Sequence, residues 1–245
     1  MLSENNFTSV PPVAEFKKIE MMKNNEELQK DVQDAIKWEP LLNAAEIGVT
    51  CSDGIVTLTG SVDSYFKKSE AEDAAKSVAG VKAVVEKIEI KFTENWAKKD
   101  DSEIASEIVR AFKWNWQVPS DKVKVRVENG WVTLEGELEW NYQKESAKNA
   151  IKNLIGVVSV SNNITIKSET HNEVEKKDIE SALKRTWSID DRDIKVKVTG
   201  HTVTLTGMVN SWYQKDEASR VAWNAPGVWV VENELVVEYD YSLVD

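Results

Sequence analysis

The chain has 245 residues, 41% of them apolar and 30% charged, with a formal net charge of −11. That balance belongs to a globular protein with a real core, and no apolar run reaches the roughly 18 residues that a membrane-spanning helix needs. The negative field repels phosphate backbones and anionic headgroups at long range, which excludes nucleic acid as an expected partner, and the single cysteine, Cys51, excludes an intramolecular disulfide.

Residues 1–24 carry Pro11-Pro12 and mixed charges without a sustained period, so they read as a flexible leader, with Met22 as an alternative start. The opening lacks a basic start followed by an apolar stretch and a small-residue cleavage site. A cytoplasmic location is expected as written, and a periplasmic one if a signal segment is missing.

A helix is expected from Glu26, with Leu28, Val32, Ala35 and Ile36 on one face. Its counterparts are Ile104, Ile108, Ala111 and Phe112, then Ile179, Ala182 and Leu183. An alternating segment follows each time: Ile47, Val49, Cys51; Val123, Val125, Val127; Ile194, Val196, Val198. Period two marks a strand with one buried face, where Cys51 is a small core residue.

Each strand runs into a tight turn. Asp53-Gly54 and Asn129-Gly130 are strong signals for a hairpin with positive φ at both centres, and Gly200-His201 suits a turn with glycine first. The returning strands carry Val56, Leu58, Val62; Val132, Leu134, Leu138; and Val203, Leu205, Val209. Each passes a glycine, Gly60, Gly136 or Gly207, and the distance from Ile36, Phe112 and Leu183 to these is 24 residues every time.

A second helix then shows a small-residue stripe: Ala71, Ala74, Ala75, Val78; Ala147, Ala150, Ile151, Leu154; Ala218, Val221, Ala222, Ala225. Gly80, Gly156 and Gly227 are placed to end these helices and turn the chain. Last strands carry Val84, Ile88, Ile90; Val160, Ile164, Ile166; and Val231, Leu235, Val237. The chain is therefore read as α+β, with three tandem αββαβ units, each a small three-stranded mixed sheet on two helices. Their expected spans are 25–92, 100–168 and 175–240, with short polar connectors between them. Units this small bury a modest share of their surface and gain from mutual contact.

The turn glycine, the Val-x-Leu-x-Gly-x-Val strand, the alanine-striped helix and the following Gly-Val resemble the BON domain, the family of OsmY-like and nodulation proteins. In the first unit these are Gly54, Val56, Leu58, Gly60, Val62, Gly80 and Val81, and the pattern recurs through Gly156-Val157 and Gly227-Val228. The resemblance implies a non-enzymatic binding module that attaches to phospholipid surfaces and is linked with osmotic or envelope stress. Three copies stand here where OsmY-like proteins have two, and their export signal is missing.

No site of chemistry emerges. His171 and His201 share no face with Cys51 at metal-ligand spacing, no phosphate-binding glycine loop is present, and Glu70, Glu72, Asp190 and Asp191 read as solvated surface. No catalytic residue, metal or cofactor is expected.

Two sets of residues are candidate contacts. Phe66, Tyr142 and Tyr213 each precede by two a recurring lysine, Lys68, Lys144 or Lys215; either they pack the helix start or they meet lipid headgroups. Most of the ten tryptophans are not repeated. Trp212, Trp223 and Trp229 align with Tyr65 and Asn141, with Lys76 and Lys152, and with Lys82 and Val158. Positions held elsewhere by lysine are expected to face water, so these three form a candidate surface for a partner chain, another unit or a membrane interface. The alternative is that they pack against the second unit or the tail. The reading is a stress-associated, non-catalytic protein that attaches to phospholipid surfaces or envelope partners. A scaffold that self-associates through the third unit, and a holdase-like chaperone, are the alternatives.

Overall fold

The computed structural model describes residues 24–92, 99–167, 174–186 and 194–237. The expected leader lies outside the described residues, apart from Asn24. The first unit holds α1 (Asn25–Trp38), a short 3₁₀ turn (Ala44–Glu46), β1 (Ile47–Ser52), β2 (Ile55–Val62), α2 (Tyr65–Ser77) and β3 (Ala83–Ile90). The second holds α3 (Asp101–Trp114), β4 (Val123–Glu128), β5 (Trp131–Leu138), α4 (Asn141–Ile151) and β6 (Ser159–Ile166). The third holds α5 (Lys176–Arg185), β7 (Ile194–Thr199), β8 (Thr202–Val209), α6 (Trp212–Trp223) and β9 (Val230–Val237).

Three separate sheets result, in the orders β1-β2-β3, β4-β5-β6 and β7-β8-β9. In each the first pair is antiparallel and the second parallel, because the second helix carries the chain back before the last strand. The turns match their sequence: Asp53, Gly54, Asn129 and Gly130 all have positive φ, while in the third turn Gly200 does and His201 does not.

The first helices of the first and second units start on polar caps. Asn24 and Asp100 each close a capping box with Glu27 and Glu103, so backbone N–H groups at the helix start find acceptors. The next residue ties the helix to the hairpin: Asn25 Oδ1 accepts from the Asp53 N–H at 2.9 Å, and the Asp101 carboxylate accepts from the Asn129 and Gly130 N–H groups at 2.8 and 2.9 Å. Asp101→Ala should destabilise the second unit by about 1–2 kcal/mol, read from its urea midpoint, because two backbone donors lose a charged acceptor.

One expectation needs correction. The second helices end at Ser77, Ile151 and Trp223, short of Gly80, Gly156 and Gly227, which sit in the turn that follows with φ of 96°, 95° and 82°. These glycines turn the chain as expected but do not themselves end the helix, and they aim the next residues, Val81, Val157 and Val228, into the cores.

Each unit has its own core. In the first, Leu28, Val32 and Ile36 of α1 and Ala71, Ala74 and Ala75 of α2 lie on Val56 and Leu58 of β2. Cys51 is half-buried and packs against this core, and burial pushes its thiol pKa up. Alanines at the contact let the second helix lie close to the sheet.

The units also contact one another, through the second helices. Tyr65, at the start of α2, packs against the second core; burial raises its phenol pKa, and its hydroxyl meets the Val160 backbone. Beside it Lys152 pairs with Glu70 at 3.2 Å and lies 4.7 Å above the Phe66 ring. Trp212, at the start of α6, packs against the first core, and Trp223, at its end, packs against the second and third. All three pairs of units therefore touch, and the chain closes into a triangle.

Candidate functional site

Two of the three recurring lysines, Lys68 and Lys215, are drawn into the fold. Lys68 pairs with Glu86 of β3 at 2.8 Å and donates to the Ile88 carbonyl at 3.1 Å. Lys215 donates to the equivalent Leu235 carbonyl at 2.6 Å and lies 5.1 Å above the Trp212 ring. Asn162 and Asn233 reach from the last strands to the Lys144 and Lys215 carbonyls at 2.9 and 2.7 Å. In the first and third units the recurring lysine thus tethers the second helix to the last strand. Of the aromatic partners, Phe66 is half-buried under Lys152, while Tyr142 and Tyr213 are 48% and 52% exposed.

The three third-unit tryptophans do not form an open surface; two of them take the expected contact with another unit. All are half-buried. Trp212 and Trp223 are spent on contacts between units, and Trp229 stacks on His201 with ring centroids 3.8 Å apart and planes 6° apart. His201 Nδ1 also lies 2.7 Å from the Gly227 carbonyl, so this pair braces the third hairpin against the turn before β9. The Trp223 position shows why an outward direction does not lead to solvent. A position that is lysine in other copies faces out of its own unit, but in a triangle of units that direction leads into a neighbour, as Lys152 itself shows by pairing with Glu70.

The exposed indoles are elsewhere. Trp38 is 87% exposed, Trp114 83% and Trp116 86%. Trp38 and Trp114 are the last residues of α1 and α3, two positions beyond the last buried residues, Ile36 and Phe112. Two residues of helix turn the side chain by about 200°, which sends each indole away from its core. Each follows an exposed lysine, Lys37 or Lys113, and Leu41, 58% exposed, lies just beyond Trp38. Trp38 and Trp114 occupy the position held by Arg185 in the third unit. The signal that finds them is their phase, half a turn from the buried stripe.

Nothing in the described residues gathers into a reaction centre. A cleft of about 270 Å³ lies where the end of the first unit meets the second, lined by Phe92, Lys99, Asp101, Ile104, Gly130 and Val158. Its charges are already engaged, Lys99 with Glu107 and Asp101 with the hairpin N–H groups. Among the described residues no group of His, Cys, Asp or Glu is placed to hold a metal ion, and no helix is long and apolar enough to cross a membrane.

Among known proteins, the chain is 32% identical over 129 residues to Osmotically-inducible protein Y of Escherichia coli (strain K12), an alignment that covers 51% of this chain. It covers 64% of that protein, so the chain spans slightly less than two thirds of the relative's length. Among solved structures it is similar to the C-terminal domain of CdsD, the structural protein of the Type III secretion system of Chlamydia trachomatis, at 19% identity and a TM-score of 0.25, covering 86% of this chain and 98% of that one. A second CdsD structure gives 15% identity and a TM-score of 0.23, with coverage of 86% and 92%. The model of the BON domain matches three times, over residues 24–91, 100–168 and 174–239. With the repeated αββαβ unit and its turn glycines in place, the chain belongs to the BON domain family.

Proposed function

We propose that this protein is a non-catalytic, osmotic-stress-associated protein that attaches peripherally to phospholipid surfaces through the indoles at the ends of its first helices. The observation that carries this reading is the exposure of Trp38, Trp114 and Trp116, each more than four fifths open to solvent. An indole has a large apolar body and one N–H donor, which suits the headgroup layer of a bilayer, and an adjacent lysine can hold its ammonium among phosphates while its stem lies on the apolar side. The name of the Escherichia coli relative, an osmotically inducible protein, supports the stress association.

The net charge of −11 argues that insertion of indoles, rather than long-range attraction, carries the attachment. Binding to phosphatidylcholine vesicles should therefore persist at about 0.5 M salt, where exposed charges are screened beyond a few ångströms. Co-sedimentation with vesicles should show a loss of affinity above about tenfold in the Trp38→Ala/Trp114→Ala/Trp116→Ala variant, since each buried aromatic contributes on the order of 1 kcal/mol or more. Removing Lys68 and Lys215 should act on stability instead. Equal binding by wild type and triple variant would refute the reading. A mass that rises with concentration without lipid would favour a scaffold, and suppression of aggregation of an unfolded client would favour a holdase.

A further inference from the structure

The open face of the third sheet differs from its two counterparts in ways that the common fold does not require. Val196, Val203, Leu205 and Leu235 point into the third core, so the alternate residues of β7, β8 and β9 line the opposite face of the sheet. Register sets these outward residues in rows. Lys197, Thr204 and Glu232 form one row, and Lys195, Thr206 and Glu234 form the next. The Thr204 hydroxyl donates to the Glu232 carboxylate at 3.1 Å, which places neighbours of a row on one face. Met208 and Val236 stand side by side one row further on, both exposed.

The face therefore has a basic margin on β7 and an acidic margin on β9, about 10 Å apart across a strand of threonines. All four charged residues, Lys195, Lys197, Glu232 and Glu234, are exposed. At the same positions the first unit has Gly48, Thr50, Val85 and Lys87, and the second has Lys124, Arg126, Ser161 and Asn163. Where Met208 and Val236 stand, the first has Ser61 and Glu89 and the second Glu137 and Thr165. Of the three faces, only this one combines margins of opposite charge with an exposed apolar pair.

Such a face is complementary to itself. A twofold axis parallel to the strands, midway between two stacked sheets and in line with β8, lays β7 of one copy over β9 of the other. Each lysine then faces a glutamate of the same row, and the two Met208 side chains meet on the axis. An axis across the strands would stack lysine on lysine, and pairing β7 with β7 or β9 with β9 edge to edge would likewise bring like charges together. With a net charge of −11, two copies repel over most of their surface, whereas the four charges of this face sum to zero. We propose that the open face of the third sheet is a docking surface for a second copy of this chain, giving a closed twofold dimer. Three strands of six to eight residues present roughly 15 by 25 Å, at the weak end of specific interfaces, so the dimer is reversible, with a Kd of about 0.1 mM. Trp38, Trp114 and Trp116 belong to the first and second units, so the pairing is independent of the lipid attachment proposed above.

The test is sedimentation equilibrium of the full chain without lipid, up to about 1 mM, where the mass should rise to a plateau at two chains. A scaffold would keep growing. Lys195→Glu/Lys197→Glu and Glu232→Lys/Glu234→Lys should each weaken pairing more than about tenfold, because like charges then face each other. An equimolar mixture of these two variants should pair at about the wild-type strength, since every facing pair is again opposite in charge. Met208→Lys, which sets two ammonium groups together on the axis, should also weaken pairing more than about tenfold. Far-UV circular dichroism, expected unchanged in all of them, separates loss of pairing from loss of folding. Trp38→Ala/Trp114→Ala/Trp116→Ala should pair as the wild type does, so a failure to bind vesicles and a failure to pair are read separately. The proposal is overturned if the wild type stays monomeric, if growth passes two chains, if Met208→Lys pairs like the wild type, or if the mixed charge-reversed variants fail to pair.

Discussion

Phe112→Ala should unfold the second unit first and weaken the two units seated on it. The ring is 2% exposed and packs among Ile104, Ile108, Val118 and the strand residues of the second core. Truncating a buried phenylalanine costs about 3–5 kcal/mol, from lost burial and from the cavity left behind. A single core in a unit this small supplies only about 3–5 kcal/mol in all. The expected result in urea is an early transition that accounts for roughly a third of the far-UV signal, followed by the rest below the wild-type midpoint, because Tyr65 and Trp223 lose their seat on the second core. Trp114→Ala, two residues on and 83% exposed, is the control, because a surface truncation normally stays within about 0.5 kcal/mol. If Phe112→Ala is no worse than Trp114→Ala, the assignment of inward and outward faces on α3 is wrong.

Gly136→Ala should destabilise the same unit by about 2–4 kcal/mol, for a reason of backbone rather than burial. Gly136 stands at φ 150° opposite Val123, and a Cβ added there would lie 2.2 Å from the Lys122 carbonyl oxygen. Neither atom can retreat without breaking the β4–β5 pairing. Gly60 is under the same constraint, with a Cβ falling 2.0 Å from the Glu46 carbonyl oxygen. Gly200→Ala is the comparison. Its φ of 59° is also left-handed, but nothing lies within 4 Å of the added carbon, so only the conformational cost of about 1–2 kcal/mol applies. Thermal melts of the two variants separate the causes, and a Gly136→Ala loss no larger than that of Gly200→Ala would mean that the edge strand yields.

The sequence itself determined the unit. Alternation at Val123, Val125 and Val127, the Asn129-Gly130 turn and the helical stripe through Ile104, Ile108 and Phe112 are local periodicities, and local periodicity dictates which face is buried before any neighbour is known. The threefold recurrence gave each position two internal comparisons. It also holds the phase that turns Trp38 and Trp114 outward. What only the tertiary structure decided is which outward-facing residues stay outward. Trp212 and Trp223 leave their own unit as the alignment implied, then meet the first and second cores, because the second helices converge. Lys68 and Lys215 look like free surface cations until the folded chain brings the Ile88 and Leu235 carbonyls to them. Contacts between units depend on the relative placement of rigid bodies joined by short connectors, and no periodicity within a unit encodes that placement.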